Sequence, residues 1–177
     1  MKTICVFGGV SSSNSGAYNT VAYELGKQIG TFGWGVICSG TRLGMVGSLI
    51  DGTLLGGGVI SAVVVQSSGE AAHLHPEIRE CVEAPTLAAR KSHMMNVADA
   101  FVCLPGGIGT LDEIFNVLAG ARMGLHQKKI ALLDIDGFFK SLVCFLGEMV
   151  EKGFLKKRYF DELIVEQDVL RLLERIR

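Results

Sequence analysis

Short apolar runs rich in β-branched residues recur along this chain and alternate with longer stretches of helical periodicity. The runs lie at 3–8, 35–40, 59–65, 100–106 and 129–135, and the helical stretches lie at about 16–31, 44–55, 86–97, 110–122, 138–152 and 168–176. Because the runs lack polar alternation, they are typical of strands that helices cover on both faces. The order of elements is therefore βαβα.

This order predicts an α/β fold with a Rossmann-like, doubly wound and mainly parallel sheet, with helices on both faces. A weaker run, ELIVE at 162–166, predicts one further strand at an edge. The segment 66–84 is the least regular part of the chain, and we interpret it as a long surface loop in preference to a flap over a ligand. A length of 177 residues fits one domain, so we expect residues 1–177 to form a single nucleotide-binding domain.

Composition excludes several classes of protein. Hydrophobic residues make up 49% of the chain, but no apolar run approaches the roughly 18 residues of a membrane span, and no signal peptide is recognisable. The net charge of −1 and the small basic clusters at 128–129 and 156–158 do not indicate nucleic-acid binding. Five scattered cysteines without a CxxC pair are typical of reduced thiols, which predicts a cytoplasmic protein without a metal site or cofactor.

Glycine is in excess, at 23 residues, and it clusters after the predicted strands. The clusters are Gly8–Gly9 with Ser11, then Gly40–Thr41 with Gly44, and then Gly106–Thr110. Ligands of doubly wound sheets bind at this edge, so all three clusters are candidate ligand contacts. The first cluster is not GxGxxG, which disfavours a dinucleotide-binding dehydrogenase. Its serines fit an anion site and an ordinary helix cap by Ser13 or Ser15 equally well.

The most specific cluster is LPGGIGTLDEIF at 104–115. Its glycines allow the backbone to approach a phosphate, and Thr110 adds a hydroxyl where the free amides of the next helix point. The spacing of Thr110 and Glu113 also matches a capping box, which would give both residues a purely structural role. Both interpretations stay open at this stage.

The preceding helix carries Arg90 and Lys91, which a helical wheel separates by about 100°. These cations suit a phosphate or Glu113, and a role as surface charges is equally compatible with the pattern. Met94 lies one turn after Arg90, where methionine more often fills a core than contacts a base.

These motifs resemble those of one known family. ARKSHM at 89–94 followed by DAFVCLPGGIGTLDEIF at 99–115 is similar to the hallmark of the Lonely Guy (LOG) family of cytokinin riboside 5′-monophosphate phosphoribohydrolases. Further similar segments, in the family's order, are CVFGG at 5–9, GMVGS at 44–48, MGLHQKKIALLDIDGFF at 123–139 and EKGF at 151–154. The resemblance implies a Rossmann-like homodimer that releases the base of an adenine-type nucleoside monophosphate and leaves ribose 5-phosphate.

The resemblance also implies roles for individual residues. Arg90 and Glu113 would be catalytic, with Lys91 beside them, and the substrate, AMP or prenylated AMP, would contact the following residues: Gly106, Gly107, Gly109, Thr110, Gly9, Ser11, Gly40, Thr41 and Met94. The chain departs from the family where it has GGVSSS, CSGT, Ala89 and Ala121-Arg122, so the base stays open. The alternative is a carrier of the same fold that binds a nucleotide or phosphorylated cofactor without turnover.

Overall fold

The structure is a computed structural model that describes residues 1–11, 16–66 and 69–177. Strands and helices alternate through these residues in the following order: β1 (Thr3–Phe7), α1 (Gly16–Thr31), β2 (Gly35–Cys38), α2 (Gly44–Leu55), β3 (Val59–Val65), β4 (Glu80–Ala84), α3 (Leu87–Val97), β5 (Ala100–Cys103), α4 (Ile108–Arg122), β6 (Lys129–Leu133), α5 (Lys140–Glu151), α6 (Lys157–Asp161), β7 (Leu163–Glu166) and α7 (Val169–Ile176). Single turns of 3₁₀ helix occur at Glu70–His73 and Ile135–Gly137.

The seven strands of the described residues form one sheet in the order β4-β3-β2-β1-β5-β6-β7, and every neighbouring pair is parallel. The chain runs outward from β1 in one direction and then returns to start again at β5, so the strand order reverses between these two strands. This topology confirms the predicted doubly wound, Rossmann-like α/β fold. It also places the carboxyl ends of all strands at one edge of the sheet.

Helices cover both faces of the sheet, as predicted, because alternate side chains of each buried strand enter different cores. On one face, Ile4 and Val6 of β1 join a core with residues of α1, α2 and α7. On the other face, Cys5 and Phe7 join a core with residues of α3, α4 and α5. The fully buried strand β5 contributes to both cores in the same way.

Helices α1 and α2 pack unusually closely because glycines stand at their contact. A Cβ atom on Gly52 would lie 2.0 Å from the carbonyl oxygen of Tyr23, and a Cβ atom on Gly26 would lie 2.1 Å from that of Leu49. No side chain larger than hydrogen fits at either position. This contact fixes α1 and α2 against each other, and with them the turns at the carboxyl edge of the sheet.

Two parts of the predicted fold were wrong. The segment 66–84, interpreted as a long loop, contains strand β4, whose residues pair with β3 from Ser61 to Val65. Four of the five β4 residues are exposed and two are glutamates, so this edge strand lacks the apolar pattern of a buried strand. Helix α6 was also not predicted, since its five residues are too few to show helical periodicity.

Candidate active site

A cavity of about 550 Å³ opens at the carboxyl ends of β1 and β5, where the strand order reverses. Ligands of doubly wound sheets bind at this position, and the volume lies within the range of small-molecule sites. Helices α1 and α2 border the cavity on one side and α3 and α4 on the other. The residues between them belong to the turns that follow β1 and β5.

The turn after β5 forms the base of the cavity. Gly107 has an extended backbone and is the N-cap of α4, and its carbonyl oxygen accepts a hydrogen bond from the Leu111 amide at 3.0 Å. The side chain of Thr110 folds back over Gly106, where a Cβ atom would lie only 2.2 Å from the Thr110 hydroxyl oxygen. In contrast, a Cβ atom on Gly107 or Gly109 would meet no atom within 4 Å. The backbone here is open toward the cavity.

The structure rejects the capping-box interpretation of Thr110 and Glu113. Helix α4 begins at Ile108, two residues earlier than predicted, because Gly107 serves as the N-cap without a side-chain cap. Thr110 is therefore a residue of the first helical turn, and Glu113 follows in the next turn. Neither residue stands at a capping-box position, so the helix cap does not account for Glu113.

Arg90 and Glu113 meet in the wall of the cavity. Arg90 Nη2 donates a hydrogen bond to Glu113 Oε1 at 2.8 Å, and this bond joins helices α3 and α4. The two side chains are only 9% and 12% exposed, so the ion pair is shielded from water. Both residues line the cavity together with buried Met94, which lies one turn after Arg90 on α3. The structure thus brings the two predicted catalytic residues into direct contact beside the glycine turn.

Lys91 points away from this cavity. Its Nζ atom contacts both carboxylate oxygens of Asp112, at 3.1 and 3.0 Å, in a second pair between α3 and α4. Lys91 does not contribute to the described lining of the cavity. The angular separation of Arg90 and Lys91 on the helix therefore sends one cation into the cavity and the other to a partner outside it.

The turn after β1 forms the opposite side of the glycine base. The Gly9 amide donates to the Pro105 carbonyl oxygen at 2.9 Å, and the Gly9 carbonyl oxygen accepts from the Met45 amide at 3.1 Å. These bonds tie the ends of β1, β5 and α2 together. Gly9 and Ser11 both line the cavity. The alternative that Ser13 or Ser15 caps α1 lies outside the described residues.

The turn after β2 contacts another part of the chain instead of the cavity. The Gly40 carbonyl oxygen accepts from the His75 amide at 2.9 Å, and Thr41 forms an isolated bridge with Leu74. His75 Nε2 also contacts Asp51 Oδ1 at 3.0 Å. Gly40 and Thr41 thus hold the segment before β4, and neither is among the described residues that line the cavity.

Sequence reasoning missed the aromatic and apolar wall of the cavity. Tyr18 comes from the start of α1, Val46 from the start of α2, Ser39 follows β2, and Phe138 follows β6. Ser39 and Phe138 follow strand ends, which is the positional signal that could have identified them. Tyr18 and Val46 lie within helices, and their orientation toward the cavity depends on tertiary packing.

Three cysteines are buried in the central strands β1, β2 and β5, namely Cys5, Cys38 and Cys103. Burial raises the pKa of the Cys38 thiol from 9.0 to about 12, although a hydrogen bond with the Gly40 backbone opposes this shift. Burial also raises the pKa of Cys5 and Cys103, and the negative charge of Glu113 adds to the increase. These thiols stay protonated at neutral pH, so they do not supply a thiolate nucleophile.

Within residues 1–11, 16–66 and 69–177, no three His, Cys, Asp or Glu side chains are grouped so that they could hold a metal ion. No helix among these residues has the length and apolar character needed to span a membrane. Among the residues that line the described cavity, the polar groups are the Arg90–Glu113 pair, hydroxyl groups and the backbone. The fold and the cavity define a doubly wound α/β protein with a candidate ligand site at the switch point of its sheet.

Comparison with known proteins identifies the family within this class. The family model described as "Possible lysine decarboxylase" matches residues 46–176. Cytokinin riboside 5′-monophosphate phosphoribohydrolases LOG2 and LOG1 of Arabidopsis thaliana are each 32% identical to this chain over 154 residues, which cover 87% of this chain and 72% of each relative. The chain belongs to this family, the Lonely Guy (LOG) family.

Solved structures confirm the fold. The molybdenum cofactor carrier protein of Chlamydomonas reinhardtii superposes with a TM-score of 0.76 at 21% identity, and the match covers 99% of this chain and 97% of that one. At this level of identity the likeness concerns the fold alone.

Proposed function

We propose that this protein is an enzyme that hydrolyses the N-glycosidic bond of a purine or cytokinin nucleoside 5′-monophosphate and releases the free base and ribose 5-phosphate. In this proposal residues 1–177 form one nucleotide-binding domain. The observation that carries it is the shielded Arg90–Glu113 ion pair, 2.8 Å long, in the wall of a cavity whose base is a glycine turn. The named activity of the Arabidopsis relatives supports the same reaction.

The glycine turn suits the phosphate of such a substrate. The first amides of α4 have no carbonyl partner within the helix, and the helix dipole is positive at this end. Gly107 and Gly109 leave the space beside these amides open, and Thr110 contributes a hydroxyl group. A phosphate bound here would accept backbone hydrogen bonds at the N-terminus of α4, the helix that also carries Glu113.

Glu113 suits the reacting carbon of the sugar. Positions 110 and 113 are neighbours on one face of a helix, so a sugar that extends from a phosphate at Thr110 reaches the Glu113 carboxylate. Departure of the base leaves an oxocarbenium-like sugar, which a carboxylate stabilises while it orients the attacking water. Shielding from bulk water strengthens this electrostatic effect.

Arg90 holds this carboxylate in place. A buried carboxylate without compensation is strongly disfavoured, and the guanidinium of Arg90 supplies both the opposite charge and a directed hydrogen bond. We propose that Arg90 also contacts the ribose phosphate. No lysine lines the described part of the cavity, so the residues present do not favour the Schiff-base chemistry that the words "lysine decarboxylase" suggest.

The substrate class in this proposal is AMP or prenylated AMP, and the remaining predicted contacts are Gly9, Ser11 and Met94, which all border the cavity. Lys91, Gly40 and Thr41 were predicted as contacts as well. Their contacts with Asp112 and with the segment before β4 do not support a direct role. We therefore leave these three residues out of the proposed site.

The test compares neighbouring carboxylates of α4. Glu113→Gln keeps the shape of the side chain but removes its charge, so we expect base release from AMP or isopentenyl-AMP to fall by about 100-fold or more. Asp112→Asn is the matched control, since Asp112 contacts Lys91 outside the cavity, and we expect it to keep activity within about twofold of the wild type. Free base and ribose 5-phosphate are measured by chromatography.

Folding is checked by thermal unfolding, because Glu113→Gln removes the buried carboxylate that pairs with Arg90. The double variant Arg90→Gln/Glu113→Gln removes both charges, and it replaces Glu113→Gln in the activity assay if the single variant does not fold. Undiminished ribose 5-phosphate release by either folded variant would refute the catalytic role of Glu113. Nucleotide binding without base release by the wild type would instead support the carrier alternative.

We also propose that the protein is a homodimer. Among the described residues, Met123 and Leu125 are 72% and 67% exposed, and they lie close together just beyond the C-terminal end of α4. Neighbouring large apolar side chains left this open to water are typical of a surface that another protein covers. Light scattering coupled to size exclusion should give twice the chain mass, and a monomer mass at micromolar concentration would contradict the proposal.

A cytoplasmic location completes the proposal. All five cysteines are free thiols, and two of them, Cys81 and Cys144, are exposed. Exposed free thiols persist in reducing compartments such as the cytoplasm.

A further inference from the structure

Two aromatic side chains close the cavity on the side of α1 and β6. Tyr18 and Phe138 both line the cavity, and their rings meet edge to face with centroids 6.5 Å apart and an interplanar angle of 81°. Tyr18 belongs to α1, whereas Phe138 follows β6, so the pair joins two elements that are distant in sequence. Phe138 remains 45% exposed, although it is a large apolar residue.

The backbone holds Phe138 in a defined position. The buried Asp134 side chain accepts a hydrogen bond from the Phe139 amide at 2.7 Å, which closes the turn that carries Phe138. Asp136 has a φ of 53° and Gly137 a φ of 73°, and the left-handed region is uncommon for an aspartate. The Phe138 ring also packs edge to face against buried Phe139, with centroids 5.0 Å apart. The turn and the contacts with Tyr18 and Phe139 thus position the exposed ring at the cavity.

The two sides of the cavity differ in charge. Within the described lining, the charged side chains are Arg90 and Glu113, and both come from the side of α3 and α4. The side of Tyr18 and Phe138 adds Val46, which is apolar. An aromatic ring presents a flat face that suits a planar heterocycle and offers nothing comparable to a sugar phosphate.

We propose that Phe138, supported by Tyr18, is the residue that contacts the base of the bound nucleotide and selects nucleotides over bare sugar phosphates. This inference rests on the proposed function for the orientation of the ligand. With the phosphate at the glycine turn and the sugar beside Glu113, the aromatic wall is the remaining side of the cavity. Stacking on Phe138 then contributes binding energy that depends on the base and not on the phosphate.

The test compares two ligands that differ by the base. Phe138→Ala should weaken binding of AMP by about tenfold, and binding of ribose 5-phosphate should stay within twofold of the wild type. Phe138→Leu retains bulk without a π face and should give an intermediate loss for AMP. Phe145→Ala is the matched control, because Phe145 is a half-exposed aromatic of α5 outside the described cavity lining, and it should change neither affinity. Both affinities are measured by calorimetry in a Glu113→Gln background, where AMP binds without rapid turnover, and thermal unfolding verifies folding.

The outcomes separate this inference from the proposed function. Unchanged AMP affinity in Phe138→Ala overturns the inference, and so does an equal loss for AMP and ribose 5-phosphate, which would indicate a general disturbance of the cavity. A selective loss for AMP supports it, even where the wild type releases no base from any nucleotide. If the wild type releases no base but Phe138→Ala loses affinity for AMP alone, the proposed hydrolysis is refuted and the contact between Phe138 and the base is supported.

Discussion

The turns after β2 and β5 both place glycine directly after a buried strand at the carboxyl edge of the sheet, yet the space around their glycines differs. A Cβ atom on Gly40 would lie 2.5 Å from the Cβ atom of Ala62 and 2.9 Å from a methyl group of Leu74. A Cβ atom on Gly107 or Gly109 would meet nothing within 4 Å. The chain itself fills the space beside the first turn, and the cavity occupies the space beside the second.

This difference separates two reasons for a glycine after a strand. At both turns the missing side chain allows another group to approach the backbone closely. At Gly40 the approaching group is the segment before β4, which is held by the His75 amide and the Thr41–Leu74 bridge. At Gly107 and Gly109 no part of the described chain approaches, so these positions can admit a ligand. The sequence pattern alone does not distinguish the two cases.

The largest effect is expected for Gly40→Ala. The φ of Gly40 is +75°, which strains any residue with a Cβ atom, and the added methyl group would overlap Ala62. We expect the free energy of unfolding to fall by about 3 kcal/mol, from backbone strain and overpacking together. Urea unfolding measures this loss. Because Gly40 does not line the described cavity, kcat/KM per folded molecule should stay unchanged.

Gly33→Ala separates the two causes of this loss. Gly33 has a similar φ of +70°, but nothing lies within 4 Å of its Cβ position, so this variant carries backbone strain alone. We expect the free energy of unfolding of this variant to fall by about 1 kcal/mol. Equal losses for both variants would mean that overlap at Gly40 is unimportant. A large fall in kcat/KM for folded Gly40→Ala would contradict the division between the two turns.

Most of the fold was predictable because its central strands are uniformly apolar. The runs that became β1, β2, β3, β5 and β6 are buried on both faces, and such burial leaves a signal that local sequence reveals. Strand β4 was not predicted because it lacks an apolar run. Its exposed side chains include Glu80 and Glu83, and its position depends on pairing with β3. Edge position, which is set by topology, removed the signal.

The candidate site was predictable in part. The glycines of the β5 turn were predicted from their place between a strand and a helix, and Arg90 and Glu113 from motif resemblance. The structure brings Arg90 and Glu113 into contact, and their roles stay predictions. The spacing of Thr110 and Glu113 suggested a cap, which is wrong because Gly107 starts the helix earlier. Phe138 was missed as a cavity residue although it follows strand β6, and its contact with Tyr18 of a separate element is a tertiary property that the sequence pattern does not show.

A smaller effect, on binding instead of stability, is expected for Gly109→Ala. Its Cβ atom would enter open space beside the first turn of α4, so the fold should tolerate it, and alanine even favours the helix slightly. Gly109 lines the cavity where the phosphate is proposed to bind, so an added methyl group would crowd the proposed phosphate site. We expect binding of AMP and of inorganic phosphate to weaken by about tenfold, equivalent to about 1.4 kcal/mol, in calorimetric titrations.

Gly16→Ala is the matched control for this change, because Gly16 also begins a helix and also has no atom within 4 Å of its Cβ position. Gly16 is absent from the described lining of the cavity, so this variant should bind both ligands as the wild type does. Wild-type affinity in Gly109→Ala would show that the open space at the β5 turn is not where the phosphate binds, and the two glycine turns would then differ in packing without differing in function. A loss confined to Gly109→Ala would support the phosphate site at the β5 turn. It would also support the contrast with Gly40, where the chain itself fills the space beside the glycine.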